Sequence, residues 1–200
     1  MEQIELLNRA LFLKINASPD IASWIIGVAK VVADDFIYAI PALLVIYWLW
    51  GSEAKRSLAL SACLVAMLGV GFNQLIGLGW QHPRPFMIGL GHAWVPHAAD
   101  SSFPSDHMTV FIGIGISLLF GGEILAGILT LGTGLAVAWS RVFMGVHFPL
   151  DMLGATGVAC LSYALVLPVW RRVGNTVTTF IEMLYRIIMA SPIAKGFVRR

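Results

Sequence analysis

An all-α, polytopic helix bundle embedded in a membrane is the fold class this 200-residue sequence predicts. Three observations carry the prediction. Hydrophobic residues make up 58% of the chain and charged residues only 12%, and the mean hydropathy is +0.81, outside the range of soluble domains. The apolar residues gather in runs long enough, or nearly so, to cross a bilayer. The five histidines (His82, His92, His97, His107 and His147) fall between those runs or at their edges. The length suits one bundle of five to six spans, a single domain over residues 1–200. A net charge of +2 with no run of like charges gives no footing for a nucleic-acid partner. Cys63 and Cys160 lie inside apolar runs and read as small packing side chains, not as a disulfide.

The elements follow in order. Residues 1–15 place Ile4, Leu7 and Leu11 on one helical face behind Glu2 and Glu5, the pattern of an amphipathic helix lying at the interface. Ser18-Pro19-Asp20 is a helix start: a capping hydroxyl, a proline at the first helical position, an acid in the first turn. The apolar run 21–33 that follows is too short to span unaided, and Asp34-Asp35 separates it from 36–50. One long tilted helix, or a half-inserted segment followed by a span, both fit. Residues 58–80 form a full span, 81–103 a polar Gly/Pro-rich loop, and 104–120, 124–139 and 149–169 three further spans. Over 173–200, Val177, Phe180, Ile181, Leu184 and Ile188 share a face beside Arg186, Lys195, Arg199 and Arg200, so the tail reads as a second interfacial helix.

Basic residues orient the bundle. Lys55-Arg56 and Arg171-Arg172 are separated by four spans and fall on one side, which the positive-inside rule makes cytoplasmic. The loops 81–103 and 140–148 are then external, and so are all the histidines. One membrane face is expected to hold the chemistry.

Three strings on that face carry it. In Ser140-Arg141-x5-His147-x3-Asp151, His147 and Asp151 are i,i+4 neighbours if a helix begins near Val146, with Pro149 tolerated in its first turn. A carboxylate on one ring nitrogen fixes the tautomer and makes the other a better nucleophile. Arg141 can fork onto phosphate oxygens. Pro104-Ser105-Asp106-His107 opens a helix whose free N–H groups favour an anion, with the Ser105 hydroxyl as a further donor and His107 placed to protonate a leaving oxygen. Taken purely as structure, the same string is a helix start capped by Ser102. Arg84-Pro85 holds an extended backbone that can direct a guanidinium to the site, or anchors a headgroup interface. Asn73 and Gln74 in the preceding span read as interhelical hydrogen-bonding residues.

With these three strings in order, the chain resembles the type 2 phosphatidic acid phosphatase superfamily, membrane lipid phosphatases related in fold to vanadium haloperoxidases. The family pattern is K-x6-R-P, P-S-G-H and S-R-x5-H-x3-D. The third motif matches throughout, the second differs at one position, and the first lacks its lysine. The resemblance implies a haloperoxidase-like helical core, His147 as a nucleophile forming a phosphohistidine, Asp151 as its orienting partner and His107 as the acid. It further implies phosphate binding by Arg84, Arg141, Ser105 and the backbone around Asp106, and no metal or other cofactor. Gly77 stands where the pattern has lysine, removing one cation that His82 could replace. Asp106 stands where it has glycine, and its carboxylate should turn from the phosphate or toward a second donor. Arg84-Pro85-Phe86 and the string from Ser102 to His107 look most like the bacitracin-resistance branch, undecaprenyl-diphosphate phosphatases of bacterial inner membranes. A lipid phosphate as substrate and the bilayer as surroundings follow from that likeness, with the site facing the periplasm. Phosphoryl transfer to another lipid, or hydrolysis of phosphatidylglycerophosphate or phosphatidic acid, uses the same kit. A transport subunit is the non-enzymatic alternative, disfavoured because the charged groups sit at span ends and not at the midplane.

Overall fold

The computed structural model describes residues 2–199. Met1 and Arg200, included above in the two amphipathic ends, lie outside them. The described residues form helices α1 (Glu2–Ile15), α2 (Ser23–Asp34), α3 (Ala39–Trp50), α4 (Glu53–Gly79), α5 (Asp106–Phe120), α6 (Ile124–Phe143), α7 (Pro149–Ile188) and α8 (Ala190–Ala194), and no strand. Helices α4, α6 and α7 are long and apolar enough to cross a membrane, and α5 is a shorter apolar helix. Helices α3 to α7 run alternately from one end of the bundle to the other, as their end-to-end contacts require. Between them Phe111, Ile114, Leu118, Val137 and Ala62 make a core with almost no exposure.

The helix starts explain several boundaries. Ser52 accepts the Lys55 N–H and caps α4, so this helix begins well before the apolar run at 58. The segment Ser18-Pro19-Asp20 does not start a helix, contrary to the sequence expectation. The Ala17 N–H is tied to the Phe143 carbonyl at 2.9 Å, and the chain turns there before α2 begins at Ser23 behind Ala22.

Helix α2 resolves the alternative left open for 21–33. Both of its ends meet the same end of α6: Ala17 bonds Phe143 before it, the Ala29 carbonyl accepts from Ser140, and Asp34 pairs with Arg141 at 3.3 Å. At 1.5 Å per residue, its 12 residues reach about 18 Å, short of a hydrocarbon core of about 30 Å. It lies at one end of the bundle, beside the last turn of α6. Helix α1 lies at that end too, burying Asn8 and Phe12 while Ile4, Leu6, Leu7 and Leu13 face outward.

The tail requires a correction. Residues 173–188 are not a separate interfacial helix but the second half of α7, 40 residues that run unbroken through Pro168. The proline removes one ladder bond, to Ala164. Side-chain contacts beyond Pro168 hold the helix against α4: Trp170 donates to Ser57 at 3.2 Å, and Glu182 pairs with Arg56 at 3.0 Å. Arg56, 1% exposed, also donates to the Trp48 and Arg199 carbonyls and lies over the rings of Trp48 and Tyr185. The apolar stripe expected of the tail is present, with Phe180 and Ile188 exposed on α7.

Candidate active site

The end of the bundle opposite Arg56 holds a cleft of about 510 Å³, lined by Arg84, His97, His107, Arg141 and His147 among others. Its centre is the short link between α6 and α7. Gly145 takes φ 84° in that link, and a Cβ there would lie 2.1 Å from the His92 carbonyl oxygen, so only glycine fits. This tight turn brings His147 back under Arg141, and it occupies part of the five-residue spacer between them.

His147 is 3% exposed. Its Nδ1 lies 3.1 Å from Oδ2 of Asp151, one turn on, and its Nε2 lies 3.2 Å from Nη1 of Arg84. The same Oδ2 accepts the Phe148 N–H at 2.8 Å and the Ser102 hydroxyl. A carboxylate can only accept, so Nδ1 carries the proton and Nε2 presents its lone pair toward Arg84. Burial, then the Arg141 and Arg84 guanidiniums, hold the imidazole well below the usual histidine range. The ring is neutral with one oriented lone pair.

The two guanidiniums are fixed from opposite sides. Arg84 donates to Asp100 at 2.8 Å, to the Val146 carbonyl at 2.8 Å and to the Ser101 carbonyl at 3.2 Å. Arg141 donates to Asp34 and Ala33, and its Nη2 lies 2.9 Å from Nε2 of His97. Burial, then Arg84, lower the His97 imidazole, which therefore accepts from Arg141. Burial, the largest single effect on Asp100, raises its carboxyl, but the Arg84 bond and charge together with His97 hold it below the usual carboxylate range.

The third wall is the start of α5. Here the expected helix start and the purely structural alternative to it both fail. Pro104 is not the first helical residue; α5 starts at Asp106 with Ser105 at the N-cap position. Ser102 does not cap it either, because its hydroxyl is drawn to Asp151 and lies 3.4 Å from His147 Nδ1. The Ser105 N–H donates to the Asp151 carbonyl at 3.3 Å, and its Oγ is buried with no protein partner. His107 lines the cleft beside Arg141 and His147. The Asp106 carboxylate turns to α4, accepting from Asn73 at 2.8 Å and from Gln74 at 3.2 Å; Asn73 also reaches Thr109 at 2.9 Å. Gly77 lines the cleft, and a Cβ there would sit 3.3 Å from Ser101 Cβ. His82 faces Glu5 at 3.6 Å and packs its ring on Phe148.

All seven residues singled out from the sequence therefore sit at or against one cleft. Among the described residues, six buried side-chain polar atoms have no protein partner, and they include Ser105 Oγ and Arg141 Nε. Buried donors of that kind call for an anion or another acceptor. Sequence reasoning missed Asp34, His97, Asp100 and Ser102 as partners of the cleft. The clustering of histidines on one side pointed toward His97, and the acidic interruption at Asp34-Asp35 was the only sign of Asp34.

A membrane-spanning helical bundle with this carboxylate-backed imidazole and paired guanidiniums defines the class of membrane phosphatases. The chain belongs to the PAP2 superfamily, whose family model matches residues 58–175. It is 39% identical to the "Putative undecaprenyl-diphosphatase YbjG" of Escherichia coli (strain K12), over 98% of this chain and 99% of that one. It is 32% identical to the "Undecaprenyl-diphosphatase BcrC" of Bacillus subtilis (strain 168), over 92% and 93%. Among solved structures it superposes on LpxE of Aquifex aeolicus with a TM-score of 0.67 at 19% identity, covering 81% of this chain and 95% of that one, a likeness of fold. With the family and these relatives, a transport subunit is not the favoured reading.

Proposed function

We propose that this chain is an undecaprenyl-diphosphate phosphatase of the bacterial inner membrane, with its cleft on the periplasmic face. The observation that carries the reading is the placement of His147, with Nδ1 on Asp151 and Nε2 3.2 Å from an Arg84 donor. A terminal phosphate entering the cleft would put its phosphorus before that lone pair and its oxygens among Arg84, Arg141, Ser105 and the first N–H groups of α5. The names of the two relatives support the diphosphate substrate. The exposed apolar surfaces of α4 and α7 beside the cleft suit a polyprenyl tail that stays in the bilayer.

The chemistry runs in two displacements. Nε2 of His147 bonds to the terminal phosphorus as the bond to the bridging oxygen breaks, and His107 gives that oxygen its proton, so lipid monophosphate leaves. Asp151 stabilises the positive charge gained by the ring. A water then attacks the phosphohistidine, with His107 taking its proton, and inorganic phosphate leaves with His147 restored. The guanidiniums stabilise charge on the equatorial oxygens throughout.

The test is phosphate release by the detergent-solubilised chain from undecaprenyl diphosphate, phosphatidic acid and phosphatidylglycerophosphate, with and without EDTA. The expected result is preference for the diphosphate, little effect of EDTA, inhibition by vanadate and no turnover by His147→Ala. Wild-type activity in His147→Ala would remove the nucleophile assignment. A phosphorylated lipid acceptor in place of free phosphate would make the chain a transferase.

A further inference from the structure

We propose that Asn8 of α1 is a positioning residue for the turn that carries His147 and Asp151. This deepens the proposed function, since it rests on His147 being the nucleophile. Helix α1 ends long before residue 58, where the family match begins, so the family pattern assigns it no part in the site.

The first turn of a helix has N–H groups with no acceptor inside the helix. In α7 the N-cap position belongs to Phe148, whose side chain offers no acceptor, and Pro149 has no N–H. The Leu150 N–H is met instead from another helix, by Oδ1 of Asn8 at 3.0 Å. Asn8 is 2% exposed on a helix whose other side chains, apart from Phe12, lie at least partly at the surface. An amide buried in such a place is costly unless it makes its bonds.

Its neighbours on the same face of α1 act on the same turn. Phe12, fully buried, meets the Phe148 ring edge-on with centroids 5.3 Å apart. Glu5 faces His82, whose ring packs on Phe148 from another direction at 5.5 Å. Residues 5, 8 and 12 are spaced as one helical face. Phe148 follows the proposed nucleophile directly, and its own N–H holds the Asp151 oxygen that orients His147. Leu150 precedes Asp151. Asn8 thus fixes the backbone between the two residues whose relative placement sets the direction of the Nε2 lone pair. A displacement of about 1 Å at a reacting group can cost about 100-fold in rate.

The experiment compares full-length wild type, Asn8→Leu and Asn8→Asp in detergent, reading kcat and KM for phosphate release from undecaprenyl diphosphate and the affinity for vanadate. Leucine removes the acceptor while keeping the branching at Cγ. Aspartate keeps an acceptor oxygen and adds a charge favoured at a helix start. Asn8→Leu is expected to lower kcat by about 10- to 100-fold with KM within about threefold, and to weaken vanadate about tenfold. Asn8→Asp is expected to return both to within about threefold of wild type. Asn8→Leu with kcat and vanadate affinity within about twofold of wild type, or Asn8→Asp failing as badly as Asn8→Leu, overturns the proposal. Should Asn8→Leu not fold, Asn8→Ser, whose hydroxyl is too short to reach Leu150, is scored by the same criteria. If wild type binds vanadate but releases no phosphate from the diphosphate, the substrate reading fails, and vanadate affinity across the variants still decides the role of Asn8.

Discussion

Ser102 donates its hydroxyl proton to the same Asp151 oxygen that faces Nδ1 of His147, so a loop serine and the histidine share one carboxylate oxygen. A hydrogen bond to a charged group contributes about 1.5–3 kcal/mol. Ser102→Ala leaves Asp151 its Phe148 N–H and His147 partners, and kcat for phosphate release is expected to fall by about 10-fold, within the range those energies allow. Asp151→Asn, which can no longer accept as an anion, should cost far more. Equal losses in the two variants would mean that Ser102 does more than steady the carboxylate.

The pH dependence follows from the burial of His147 between two guanidiniums. Its imidazole is held well below the ordinary histidine value, so the neutral nucleophile persists as pH falls and is lost only on descending through that lowered value. The acid limb of kcat/KM is therefore expected well below pH 6.5. A pH–rate profile with an acid limb at or above 6.5 would mean that protonation of the ring is not what limits the reaction on the acid side.

Asp106 places a carboxylate at the mouth of an anion site and keeps it turned aside with Asn73 and Gln74. Asn73→Leu removes the shorter of the two restraints. The freed carboxylate then repels the incoming phosphate, and KM is expected to rise about 3- to 10-fold, a penalty of roughly 1 kcal/mol for a partly exposed like charge. Steady-state kinetics decide it, and a fall in kcat at constant KM would refute the repulsion.

At the far end of the bundle, Arg56 and Glu182 form a buried pair. Removing one partner of such a pair strands a charge and costs about 3–5 kcal/mol, whereas removing both restores much of the loss. Arg56→Met should lower the unfolding midpoint sharply, and Arg56→Met with Glu182→Leu should recover most of it. A double variant no better than the single would show that the carbonyl bonds of Arg56 to Trp48 and Arg199 dominate.

What the sequence made legible was chemistry held within short stretches. The four-residue step from His147 to Asp151 is helix geometry, and it appears as written. The meeting of Arg84 with His147, 63 positions apart, could be expected only through the family pattern. Serine before a helix is an ordinary cap, the role Ser102 has in the purely structural reading of its string, and only packing shows that Asp151 claims its hydroxyl. Composition could not tell a crossing 21–33 from one lying at the bundle end, since both need apolar residues. Pro168 and the basic pair after it looked like the end of a span, yet contacts to α4 carry α7 onward.

The loop that supplies Ser101 and Asp100 closes onto α4 where Gly77 leaves no side chain to hold it off. A lysine at position 77, where the family pattern has one, would need Ser101 to retreat by a few tenths of an ångström, dragging on the carbonyl that steadies Arg84. The bare position 77 and the loop are thus matched to one another, and a lysine placed there alone would act on the Arg84 guanidinium through the loop as well as through its own charge.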